Sequence, residues 1–318
     1  MKAYFIQLKQ KLEVYFSSDR GKLTAKIFKY AIQALVIGIL AWQLWNIGLV
    51  AVMKDFPVHP MFYLLFLLIY FSLPISEFFT YKRHVPLRFL DSQTIFLKKR
   101  IYNKTVVGYS GELQLFFWLK KHHDIPEKQA FRIVRDNNTL STIASTFVTV
   151  TLLAGFILTG NIALLENLNI NVGGYLTGIA FVIVLLVLLL RRYKEYLYSM
   201  NRRDTLSILG IHSIRLYLLA FFQILQWAVV MPEVETYIWI TIISMQIILS
   251  RLPFIPNKDL LFIAASLEFG QHADISATGL AALLVVNHVL DKLLNGVLFT
   301  WLSIRDKKSG IPLKEGDN

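Results

Sequence analysis

The chain has 318 residues, 55% of them hydrophobic and only 17% charged, with a formal net charge of +12 and a mean hydropathy of +0.51. That is too apolar and too charge-poor for a soluble domain, and the absence of cysteine excludes a disulfide framework, thiolate chemistry and a cysteine metal site. The lysines and arginines stand in loops beside the apolar runs, a positive-inside pattern that makes membrane lipids the expected partner and leaves no role for nucleic acid.

Several runs approach the roughly 20 apolar residues needed to cross a hydrocarbon core about 30 Å thick, so the expected fold is all-α. It is read as a polytopic helical membrane protein with seven or eight transmembrane helices. Residues 1–26 carry Phe5, Leu8, Leu12 and Phe16 at helical spacing among Lys2, Lys9 and Lys11, with no signal-peptide cleavage pattern. They predict a basic interfacial helix on the cytoplasmic face, although a leader helix packing on the bundle fits the same spacing.

Spans are predicted at 27–53 and 61–79, joined by a short external turn. Residues 82–138 are too polar to span and are placed at the cytoplasmic surface, with VVGYSGELQLFFWL apolar enough to lie in the interface or re-enter. Further spans are expected at 140–158, 175–190, 208–230 and 237–249. A short apolar piece at 259–270 follows Pro253 and Pro256, and a long run follows at 277–303. Basic flanks put both termini inside, whereas seven full spans would leave the C-terminus outside. Either the piece near 253–270 crosses as a broken helix of the kind transporters use or one of the spans is wrong. A broken or re-entrant helix is expected there, with crossing and re-entry both open. Residues 1–305 then form one integral membrane domain and 306–318 a polar cytoplasmic tail.

Ionisable groups inside a span cost about 2.5 to 3.5 kcal/mol each on insertion scales, so they normally face a cavity or one another. In NHVLDKLLNGVLFTW, Asn287, Asp291 and Asn295 share one helical face, and His288 and Lys292 form an adjacent stripe. Asp291 and Lys292 are sequence neighbours and cannot readily pair, so each calls for a partner from another helix or water. Candidates are Glu77, Arg215, Gln223, Gln226 and Gln246. The plainer alternative is that these groups join helices by hydrogen bonds.

RIVRDNNTLSTIASTFVTVT opens on Arg132, Arg135 and Asp136, two guanidinium groups and a carboxylate at a membrane boundary, a set suited to a phosphate-bearing headgroup. Its hydroxyl-rich continuation fits either a polar groove or close helix packing. His122, His123 and Asp124 lack metal-site spacing, and no Gly-rich phosphate loop or nucleophile elbow is present. No metal or cofactor is expected.

In the order of its segments the chain resembles the flippase domain of lysylphosphatidylglycerol synthases and its stand-alone relatives. The pieces that carry the resemblance are residues 29–52 with LLIYFSLPISEFFTYKRH, then YSGELQLFFWLKKHHDIPEKQAFRIVRDNN, and SRLPFIPNKDLLFIAASLEFG. Gly111 and Glu112 look like the Gly-Glu pair of that family, Arg135 and Asp136 like the end of its charged cluster, and Asp259 stands where a glutamate is expected. The chain departs from the pattern at Gln114 and Leu115, where an arginine is expected, and in the lack of glycines around Pro256.

The resemblance implies a bacterial inner-membrane protein that moves lipid between leaflets, alone, as a homo-oligomer or beside an enzyme that makes the lipid. Aminoacyl transfer is not expected, since the synthase portion has no counterpart here. On this reading Glu112, Arg132, Arg135, Asp136, Arg215, Asn257 and Asp259 receive the headgroup. Glu77, Asn287, His288, Asp291 and Lys292 line the polar path, and Pro253 and Pro256 form the hinge of the broken helix. The alternative is a membrane-embedded enzyme or accessory factor acting on a lipid-linked headgroup.

Overall fold

The computed structural model describes Ile27, residues 34–35, 37–105, 109–158, 200–251 and 258–308. All regular structure among them is helical, with no strand. The expected interfacial helix at 1–26, the span at 175–190, Pro253, Pro256, Asn257 and the tail from residue 309 lie outside the described residues.

The contacts divide the chain into two compact units, residues 1–56 with 245–285 and residues 57–244 with 286–318. In the first unit, α1 (Ile37–Ile47) is separated from α2 (Leu49–Lys54) by Gly48, whose φ of 93° is open to glycine and strained for most other residues. Buried Gln43 on α1 donates to the Ala264 carbonyl at 3.2 Å. Ala264 belongs to α9 (Lys258–His272), a helix of 15 residues, which at about 1.5 Å per residue is shorter than a bilayer core. Asp274, with φ of 52°, turns the chain into α10 (Ala277–Lys308).

In the second unit the sequence-predicted spans at 61–79 and 208–230 are α3 (Pro60–Tyr81) and α7 (Arg202–Ala228). Pro60 occupies the first helical turn of α3, where its missing N–H costs nothing, and the His59 ring accepts from Met61 N. Asn201 caps α7 by accepting from Asp204 N at 2.9 Å. Together with α10 these are three helices long and apolar enough to cross a membrane. Each leaves an apolar stripe exposed at helical spacing: Leu64, Leu68, Ile75 and Phe79; Ile214, Leu218, Phe221 and Leu225; Val289, Leu293, Val297 and Trp301. Faces of that kind are disfavoured against water and suited to lipid.

The expected span 27–53 is interrupted at Gly48, and three further boundaries differ from the sequence reading. The stretch 140–158 is the second half of one continuous helix, α6 (Glu127–Leu158), so the charged cluster and the apolar run share a single rod. The run at 237–249 lies in α8 (Thr236–Arg251), whose apolar part, Thr236–Ile247, is a shorter helix. The last helix continues to Lys308, past the expected start of the tail at 306.

The polar stretch after α3 forms two helices, α4 (Phe89–Thr105) and α5 (Ser110–His123). α4 runs back along α3: Phe89 meets Phe78 edge to face at 5.0 Å, Phe96 lies against Tyr81, and Leu97 and Ile101 join Phe66 and Tyr70 in one cluster. It also runs antiparallel to α10, from the Arg305–Thr94 hydrogen bond toward Asp291. α5 returns beside α4, and Leu115 and Leu119 enter a second cluster with Ile133 and Val134 of α6.

Candidate functional site

On α4 the buried positions Ser92, Ile95, Phe96 and Lys99 recur at three- and four-residue spacing, so the packed face of the helix includes a lysine. Burial of an ammonium group demands partners. Lys99 Nζ donates to both carboxylate oxygens of Glu77 on α3 at 2.9 Å, with the two side chains 6% and 5% exposed. A second carboxylate, Glu112 on α5, stands 3.7 Å from the same nitrogen. The Tyr81 ring lies beneath the ammonium at 5.6 Å.

Glu112 is brought there by its neighbour. Gly111 packs on the backbone of Lys99 so closely that a methyl group in its place would overlap the Lys99 carbonyl. Its N–H, one of the unsatisfied donors at the start of α5, is taken by Asn103 Oδ1 at 2.8 Å. Glu112 sits in the first turn of α5, where the helix dipole favours a negative charge.

Beside this cluster, His212 of α7 shares a 3.1 Å hydrogen bond with Asn137 of α6, both buried. Arg135 bonds Asp136 Oδ1 through Nε and Nη2 at 2.8 and 2.6 Å, and Asp136 is 1% exposed. Arg215 follows one turn after His212 and is half-buried, whereas Arg132 is exposed. In the adjoining loop, burial pushes the His84 imidazole below its ordinary range, opposed by Asp204 and Asp136. The hydroxyls of Thr142, Thr146 and Thr149 each donate to the carbonyl four residues back, within their own helix, whereas the buried Ser145 hydroxyl has no hydrogen-bond partner among the described residues.

The charge at Asp291 has partners that the sequence reading did not name. They are Arg100 and Lys104 of α4, in place of Glu77, Arg215 or a glutamine. Arg100 Nη2 donates to Asp291 Oδ1 at 2.9 Å, and Lys104 Nζ to Oδ2 at 2.8 Å. Asn295 Nδ2 donates to Oδ2 at 2.8 Å and receives the Tyr70 hydroxyl on its Oδ1 at 2.8 Å. The Arg100 guanidinium lies over the Tyr70 ring at 4.1 Å. Asp291 and Asn295 thus use the shared face expected of them.

Asn287, on the same face, meets an amide cluster. Gln226 and Asn287 exchange two hydrogen bonds at 3.2 Å, Gln223 donates to Gln226 Oε1 at 2.7 Å, and Gln226 Nε2 also donates to the Phe62 carbonyl at 3.1 Å. Gln226→Leu strips all of these at once and is expected to lower stability by ~1–2 kcal/mol, within the range of interhelical amide bonds in membranes. Chemical unfolding in detergent checks it, and adding Asn287→Leu should cost little more, since its partner is already gone.

Not every expected residue joins these clusters. Lys292 is exposed on α10. Asp259 is exposed at the start of α9, in the first unit. Lys99, Arg100 and Lys104 escaped the sequence reading because hydropathy alone assigns α4 to water, although the 92, 95–96, 99 spacing carried the signal. No family model, curated protein or solved structure matches the chain.

Proposed function

We propose that the chain is a multi-pass membrane protein that passes a lipid headgroup across the bilayer along a charged layer built from α3, α4, α5 and α10, within an architecture of seven or eight spans in a bacterial inner membrane. The observation that carries this is the placement of Lys99, Glu77, Arg100, Lys104 and Asp291 against helices long and apolar enough to cross a membrane. Charges inside a span are expensive, and by default they are read as marking a polar path. The apolar outer stripes support the lipid setting, and the resemblance drawn from Gly111–Glu112 and Arg135–Asp136 points to the same activity.

The test is reconstitution of the full chain into vesicles carrying a headgroup-labelled phospholipid, with a membrane-impermeant quencher added outside. Protein-containing vesicles are expected to lose inner-leaflet signal, and Glu77→Gln together with Lys99→Met should slow that loss while leaving the circular dichroism spectrum helical. Quenching equal to that of protein-free vesicles, with folded protein present, overturns the reading.

A further inference from the structure

We propose that Arg100 and Lys104 form a seat for a singly charged phosphate or phosphodiester group near the middle of the bilayer, with Asp291 acting as an internal counter-anion that the ligand displaces. This rests on the membrane reading above and names the headgroup chemistry of that site.

Depth comes first. Asp291 is the midpoint of the apolar stretch Ala277–Arg305 of α10. α4 begins at the end of α3, where Phe89 meets Phe78, and reaches Tyr70 and Phe66 at the level of Ile101. Tyr70 lies midway along Pro60–Tyr81. The hairpin of α4 and α5 therefore carries Arg100 and Lys104 to the central region of both spans.

Charge comes second. Among the described residues the charged groups on Asp291 are Lys104 and Arg100, while the neighbouring Lys99 ammonium is shared by two carboxylates, Glu77 and Glu112. Two cations facing one carboxylate leave a surplus positive charge at Arg100 and Lys104, next to the surplus negative charge of the Lys99 cluster, and in a setting of low dielectric a monoanion seated on Arg100 and Lys104 would neutralise it locally.

Geometry comes third. An arginine clasps phosphate through its Nε and one terminal nitrogen. On Arg100 the terminal Nη2 of that edge is on Asp291, whereas Nε is buried and makes no hydrogen bond among the described residues. The guanidinium is already held flat by the Tyr70 ring, and Tyr70 by Asn295, so the fork is fixed before a ligand arrives. Lys104 is 35% exposed and provides the approach. The Asp291 carboxylate spans the three donors, Arg100, Lys104 and Asn295, that two phosphoryl oxygens would take.

The experiment is equilibrium binding by calorimetry to the full chain in a neutral detergent, with dihexanoyl phosphatidylglycerol, dihexanoyl phosphatidylcholine and inorganic phosphate as separate probes. Phosphatidylglycerol is expected to bind more tightly than phosphatidylcholine, Lys104→Gln to weaken it about tenfold, and Asp291→Asn to tighten it about tenfold, as loss and release of one charged hydrogen bond imply. Inorganic phosphate binding as well as the lipid supports the seat and assigns it to the free anion.

A structural ion pair predicts a different pattern: Asp291→Asn destabilises the protein and leaves affinity unchanged or weaker, and that result in folded protein overturns the proposal. Should Asp291→Asn fail to fold, the part-exposed Lys104→Glu decides, because unchanged phosphatidylglycerol affinity in that variant is equally fatal. Binding in detergent requires no transport. Protein that scrambles lipid but binds no anion loses only this seat, and protein that binds but does not scramble loses only the translocase reading.

Discussion

Lys99→Met is expected to destabilise the folded protein by ~3–5 kcal/mol, the usual cost of removing one partner from a buried ion pair. The hydrophobic replacement fits the space but strips the ammonium from Glu77, whose side chain is 5% exposed, and from Glu112, whose side chain is 14% exposed. Neither carboxylate has another cation within ion-pair distance in the described contacts. Adding Glu77→Gln to Lys99→Met should recover much of the loss, since a neutral pair of similar volume avoids the stranded charge. Chemical unfolding of the single and double variants in detergent checks both. Equal stability of Lys99→Met and wild type would mean that the carboxylates find water or protons where the fold shows a sealed layer.

Gly111→Val is expected to cost ~3 kcal/mol, the upper end of ordinary overpacking penalties, because the obstruction is backbone and cannot rotate away. An added Cβ would stand 2.7 Å from the Lys99 carbonyl carbon and Cα, and closer still to its oxygen. α5 must then move off α4, lengthening the 3.7 Å approach of Glu112 to Lys99 and breaking the 2.8 Å bond from Gly111 N to Asn103. The contrasting control is Gly210→Val on α7, where a Cβ meets nothing within 4 Å. A similar unfolding midpoint for the two variants would refute the close approach as the reason for glycine at position 111.

The long apolar helices were legible because their pattern does not depend on partners: Pro60–Tyr81 follows hydropathy to within two residues at each end, and Arg202–Ala228 does so at its C-terminal end but starts six residues earlier, in its polar first turns. The face shared by Asn287, Asp291 and Asn295 was legible for the same reason, being a matter of helical spacing. What Asp291 binds was not, because Arg100 and Lys104 lie about 190 residues away, in a stretch whose mean character is polar. Lys292 looked equivalent to Asp291, yet one residue is about 100° of helix rotation, enough to turn it from the packed face to the exposed one. Gly111–Glu112 stood out by resemblance, and its physical reason became visible only with the backbone of α4 beneath it.

Lys99 and Arg100 are consecutive residues on one helix, yet they engage carboxylates on two different helices, Glu77 on α3 and Asp291 on α10. Their side chains leave the axis about 100° and 1.5 Å apart, and that offset is fixed by the helix itself. α4 therefore works like a key with two bits. A turn or slide of the helix that moves one cation moves the other as well, so the two ion pairs fix the rotation and the height of α4 against α3 and α10 at the same time.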